Sequence, residues 1–196
     1  MKRGLNFLTV LILFSVVHYA HGQPTFSERL VEAAVSLTQD QVVYDPSYFS
    51  IPYPGGDVPS TKGVCTDVII RAYRKVGIDL QQEVHDDMVA NFSAYPNLWN
   101  LSKTDKNIDH RRVPNLMAFF SRHGKIKPIT QRASDYVPGD IVCWNLGGAI
   151  THIGIVVNQK STDGLRNLIV HNIGGGQVME DILFNFKIIG HYTYPK

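Results

Sequence analysis

The feature that most limits what this chain can fold into is a change of hydrophobic period near residue 125. Before it, apolar residues recur three or four apart, as on one face of a helix; after it they recur every second residue, as on one face of a strand. The first helix is announced by Thr25-Phe26-Ser27-Glu28, a capping box in which each end residue satisfies the other's backbone N–H, followed by the stripe Leu30, Val31, Ala34 and Val35 up to about Thr38. A second is read in GVCTDVIIRAYRKVG, where Val68, Ile69, Ala72, Tyr73 and Val76 share a face, Arg71, Arg74 and Lys75 lie opposite, and Gly77 stops the helix. A third runs from Leu80 to about Phe92. A fourth opens at Pro114, carries Leu116, Met117, Phe119 and Phe120, and ends at Gly124. Strands are expected at about 126–130, 140–145, 151–158, 167–172, 177–184 and 186–194, with turns at Pro138-Gly139, Gly147-Gly148, Asp163-Gly164 and Gly174-Gly175-Gly176. The fold class that follows is α+β: an N-terminal helical half packed on a meandering antiparallel sheet of about five to six strands.

Residues 1–22 read as an address rather than as part of that fold. Lys2 and Arg3 precede an apolar run from Leu5 to Val17, and Ala20-His21-Gly22 supplies small residues for cleavage before Gln23, which predicts a signal peptide and a periplasmic or secreted protein. The run is too short for a membrane anchor, which needs about 20 apolar residues. What remains, 23–196, is one domain and is expected to act as a monomer. The formal charge of +2 loses Lys2 and Arg3 with the signal, and no basic tract interleaved with aromatics is present, which argues against a nucleic-acid partner. His85, Asp86 and Asp87 lack a second ligand cluster at zinc or calcium spacing, so neither a metal nor another cofactor is expected.

There are two cysteines, Cys65 and Cys143. Cys65 falls at the first turn of the second helix, where unpaired backbone N–H groups and the positive end of the helix dipole favour a thiolate. The upstream loop, IPYPGGDVPSTKG, is rich in turn residues and delivers the cysteine to the helix start, with Gly63 permitting a close approach to a ligand and Tyr53 and Asp67 offered as cleft walls. Downstream, His152 opens the strand THIGIVV and His171 closes LIVHN across a hairpin whose tip lies near Asp163-Gly164, so the two imidazoles are expected opposite one another. A thiol hydrolase needs a histidine to exchange protons with the sulfur and a polar group to orient that ring. His152 and His171 fit these roles, with Asn172 an alternative orienter on the other face of its strand. Arg111 and Arg112, just before the fourth helix, offer two guanidinium forks for a substrate carboxylate. A disulfide between Cys65 and Cys143 would remove the nucleophile and leave a binding domain instead.

GVCTDVIIRAYRK resembles the nucleophile helix of NlpC-type cell-wall cysteine peptidases in the papain-like superfamily, and PGDIVCWNLGGAITHIGIVV is similar to the segment of that family that carries its histidine. IPYPGGD resembles its approach loop, with Pro54 where a tryptophan is usual, and LIVHNIGGG resembles the strand of its third catalytic residue. The resemblance covers Ile51 to Tyr73 and Pro138 to Gly176, and Val64, Thr66 and Asp67 depart from the usual surroundings of the cysteine. It implies a papain-like fold, Cys65 as nucleophile, His152 as base, His171 as orienter, and a peptidoglycan stem peptide as substrate. An acyl or amide transferase using the same three residues is the neighbouring alternative.

Overall fold

The computed structural model describes residues 23–196, so the expected signal peptide lies outside the described residues. The architecture is α+β, with helices α1 (Phe26–Leu37), α2 (Cys65–Lys75), α3 (Leu80–Ala90) and α4 (Val113–His123). Thr25 and Glu28 form the capping box of α1. The strands are β1 (Val43–Tyr44), β2 (Lys62–Gly63), β3 (Lys125–Ile126), β4 (Ile141–Gly147), β5 (Ile150–Lys160), β6 (Asn167–His171), β7 (Val178–Glu180) and β8 (Lys187–Thr193). β1 and β2 make a short parallel pair; the other six form one antiparallel sheet in the order β3-β8-β4-β5-β6-β7.

That order corrects the expected meander. β4, β5, β6 and β7 do follow one another, but β8 returns to lie between β3 and β4, pairing Val142 with His191 and Ile126 with Tyr192. β7 is also shorter than expected, since Ile182 and Leu183 leave the ladder to cover the sheet, where the Leu183 carbonyl accepts the indole N–H of Trp144 at 3.0 Å.

Both faces of the sheet are covered, with alternate residues going to opposite sides. Cys143, Ile153, Ile155, Val157 and Val170 face the helices and pack with Val68, Ile69, Ala72 and Tyr73 of α2 and Leu30 and Ala34 of α1. Val142, Trp144, Val156 and Ile169 face the other way, against Tyr136, Ile182 and Leu183. No helix among the described residues is long and apolar enough to cross a membrane.

Two arginines that the sequence presents as surface or substrate groups are instead built into the fold. Arg71 is buried and donates to the Asp57 carboxylate at 2.9 Å and the Lys62 carbonyl at 2.9 Å, tying the approach loop to α2. Arg111, in a 3₁₀ turn over Asp109–Arg111, forks onto Asp67 with Nε at 2.9 Å and Nη2 at 3.0 Å and donates to the Ser47 carbonyl at 3.0 Å. The same Asp67 carboxylate accepts the Val64 backbone N–H at 2.7 Å, capping the start of α2. Asp67 is therefore a buried positioning group rather than a cleft wall, and Arg111 has no fork left for a substrate. Gly63 serves this arrangement too: a Cβ there would stand 3.2 Å from both Asp67 Cβ and Arg71 Nη1, so the space kept open belongs to the ion pairs and not to a ligand.

Removing one member of a buried pair leaves an uncompensated charge, at a cost of about 3–5 kcal/mol. Asp67→Ala is expected to lower the unfolding free energy by that amount in chemical denaturation; a loss under about 1 kcal/mol, within the range of an exposed pair, contradicts the role given to Asp67.

Candidate active site

Cys65 is the first residue of α2, immediately after the cap residue Val64. Its side chain enters the core on the helix side of the sheet, and its sulfur meets the backbone N–H groups of Ile153, Thr66 and Cys65 itself, each of which favours the thiolate. Burial is the larger effect and pushes the thiol up to about 12. The helix start therefore does not produce the easily ionised thiol that its position alone suggests. Cys143 lies in the same core, opposite Ile153 on β5, and burial pushes its pKa well above the usual thiol value. Both cysteines are free.

His152 and His171 come together as expected, though by a different register. The pairing of Ile155 with Val170 and Val156 with Ile169 extends to Gly154 opposite His171, because an irregularity between Val156 and Lys160 shifts the hairpin. The two imidazoles are thus diagonal neighbours on one face. Gly154 makes this possible: a Cβ there would lie 2.5 Å from Ile169 Cγ2 and 3.2 Å from His171 Cβ. His152 Nε2 stands 3.1 Å from His171 Nδ1, and His171 Nε2 stands 3.1 Å from Glu180 Oε2 on β7.

The protons in this chain follow from its far end. A carboxylate only accepts, so His171 donates from Nε2 to Glu180, and a neutral His171 must then accept at Nδ1 from His152 Nε2. That leaves His152 Nδ1 with its lone pair. Burial lowers the pKa of both rings, His152 to about 3, while Glu180 partly offsets the effect at His171, so the relay rests in its neutral form. Asn172, the alternative orienter, turns the other way and donates to the Gly63 carbonyl at 3.2 Å.

The thiol and the relay sit at one end of β5 but on different sides of it. His152 is paired with Trp144, its ring 5.8 Å from the indole, whereas Ile153 and Cys65 share the helix side. No hydrogen bond joins Cys65 to His152 among the described residues. Around the start of the strand, Thr151 and Cys65 line one cavity of about 210 Å³, together with Tyr44, Trp99, Arg111 and Arg112. Tyr53 is not on its wall; its hydroxyl donates to Asp86 at 2.6 Å and its ring packs edge-on against His85. His85 pairs with Asp109 at 3.0 Å and Asp87 with Arg122 at 2.7 Å, and no group of three potential metal ligands occurs among the described residues.

Three lining or relay residues escape the sequence reading. Glu180 depends on the pairing of His171 with Val178 across β6 and β7, which no local pattern announces. Tyr44 and Trp99 lie in irregular segments without periodicity, the first on the two-residue β1 and the second with a left-handed φ of 63°.

Helices packed on one face of a six-stranded antiparallel sheet, with a cysteine at a helix start and a histidine pair at the sheet's end, define the class of domain. The chain belongs to the family described as a domain of unknown function, DUF1287, whose match spans residues 31–194. The uncharacterized protein YijF of Escherichia coli K12 is 53% identical over 151 residues, covering 77% of this chain and 73% of that protein. No solved structure matches the chain.

At neutral pH a thiol raised from 9 to about 12 holds about a thousandfold less thiolate than an unperturbed cysteine. Alkylation of Cys65 by iodoacetamide, followed by peptide mapping from pH 6 to 10, is expected to be slow and to rise about tenfold per pH unit without a plateau. A fast plateau near neutrality signals a resting thiolate–imidazolium pair and overturns this account.

Proposed function

We propose that this protein is an exported thiol hydrolase of the NlpC type that cuts an amide bond in peptidoglycan stem peptides, with Cys65 as nucleophile, His152 as proton carrier and His171 as its orienter. The observation that carries the reading is the relay from Glu180 through His171 to His152, which leaves an unprotonated nitrogen on a ring next in sequence to Ile153, whose peptide N–H favours the Cys65 thiolate. A papain-like fold is the reading of the helix-on-sheet architecture and of the order cysteine, histidine, histidine along the chain.

Because thiol and imidazole are both neutral at rest, the thiol proton passes to His152 Nδ1 as sulfur attacks the carbonyl, rather than beforehand. Bringing the two together requires rotation of the side chains around the start of β5, and catalytic hydrogen bonds commonly tighten only once substrate is bound. The Cys65 backbone N–H, free of intrahelical bonding at the first position of α2, helps to hold the oxyanion. His152 then returns its proton to the leaving amine, and water releases the acyl group from sulfur.

A second reading, a non-catalytic cell-wall binding domain, is favoured by the burial of Cys65 and the position of His152 on the Trp144 side. Activity separates the two. Cys65→Ala is expected to abolish release of peptides from purified muropeptides by mass spectrometry, and His152→Ala to lower kcat/KM by about 10²–10⁴-fold. If Cys65→Ala releases peptides at the parent rate, the nucleophile assignment fails. Glu180→Gln no longer obliges His171 to donate from Nε2, and is expected to lower kcat by about 10- to 100-fold with little change in KM; an unchanged kcat removes Glu180 from the relay.

A further inference from the structure

The cavity beside Cys65 has a one-sided electrostatic character. No Asp or Glu lines it, while two arginines do. Arg111 is matched by Asp67, so its charge is compensated within the fold. Arg112 is less fully matched: Asp109 and Asp105 lie near enough to favour its charge, but its side chain has neither an ion pair nor a hydrogen bond among the described residues, and its Nη1 is buried with no partner. A guanidinium nitrogen withheld from water and left unbonded is costly, and beside a cavity a ligand is one partner that can complete it.

Two features hold that guanidinium in place. It lies over the Trp99 ring at 4.4 Å from the centroid, a cation–π contact that fixes the plane of the fork. Trp99 and the following Asn100 reach this position through φ values of 63° and 50°, left-handed backbone that a bulky aromatic residue adopts only under constraint. Arg112 is also the residue capping α4, an 11-residue helix whose first turn contains Pro114, so the positive end of the helix dipole adds to its charge.

We infer that Arg112, held flat by Trp99, is the specificity residue of this cavity and binds a carboxylate of an acidic peptide whose neighbouring carbonyl reaches Cys65. The inference deepens the hydrolase reading and rests on it for the role of Cys65. A planar carboxylate matches the fork through two parallel N–H···O bonds, and the Arg111–Asp67 pair beside it stays closed to the ligand. The two adjacent arginines, alike in sequence, thus divide into one that builds the site and one that reads the substrate.

The test measures binding separately from turnover. The chain has two tryptophans, Trp144 buried in the sheet and Trp99 half exposed against Arg112, so intrinsic fluorescence reports on this cavity through Trp99. In a Cys65→Ala background, the probe is L-Ala-γ-D-Glu-L-Lys and the same peptide with the glutamyl α-carboxyl converted to an amide. The acid is expected to bind at least about tenfold more tightly than the amide, as loss of a charge-assisted hydrogen bond implies. Arg112→Gln and Arg112→Lys, checked for unchanged melting, are expected to bring the two affinities within threefold, and Trp99→Phe to abolish the signal. Equal affinities in the Arg112-containing protein, discrimination that survives Arg112→Gln, or inorganic phosphate binding that the acid peptide does not displace each overturn the inference. Discrimination without hydrolysis by the protein with Cys65 intact sinks the enzyme and leaves Arg112 standing; hydrolysis of acid and amide at equal rates sinks Arg112 alone.

Discussion

One carboxylate, that of Asp67, sets where the candidate site of this protein lies. It accepts the backbone N–H before α2 and grips Arg111, which in turn holds the carbonyl of Ser47 in the loop that precedes the site. Three segments distant in sequence are fixed against each other at a single buried point. The first turn of α2, and with it the cysteine, has only one place to be.

At that place two effects on the thiol oppose each other. A helix start and three backbone N–H groups favour the anion, while burial, aided by the nearby Asp67 carboxylate, disfavours it, and the burial dominates. Burial, acting on the opposite sign of charge, holds both imidazoles neutral and is opposed only at His171, by Glu180. At rest the thiol and both imidazoles are therefore uncharged, and hydrogen-bond geometry decides which nitrogen keeps its lone pair free. Glu180, half exposed, is the group from which that geometry is set.

The helices were legible because each carries a clear apolar stripe and a stop residue, and their observed limits fall within two residues of those read from the sequence. The long strands β4, β5, β6 and β8 were legible from their alternation, whereas β3 is two residues where 126–130 was expected and β1 and β2 carry no pattern. Neighbours were not legible either, since alternation tells which face a residue takes and says nothing about which strand lies alongside, so the return of β8 between β3 and β4 went unseen. The histidine pair was found from spacing, though the spacing assumed a regular hairpin, and the irregularity beyond Val156 moved His171 opposite Gly154. Arg111 and Arg112 could not be told apart in the sequence, since what separates them is a carboxylate 44 positions away. Tyr53 looked equally suited to the cleft, but Asp86 draws it to another part of the surface.

The place of β8 bears on how the molecule assembles. β4 lies at the centre of the sheet, yet one of its two edges stays without a partner until residues 187–193 have come back to it. Contacts between residues so far apart close late and slowly, because the intervening loop must lose its freedom first. A chain that has emerged only as far as β7 thus presents an open strand edge and an unfinished core, so the sheet cannot settle until β8 has followed.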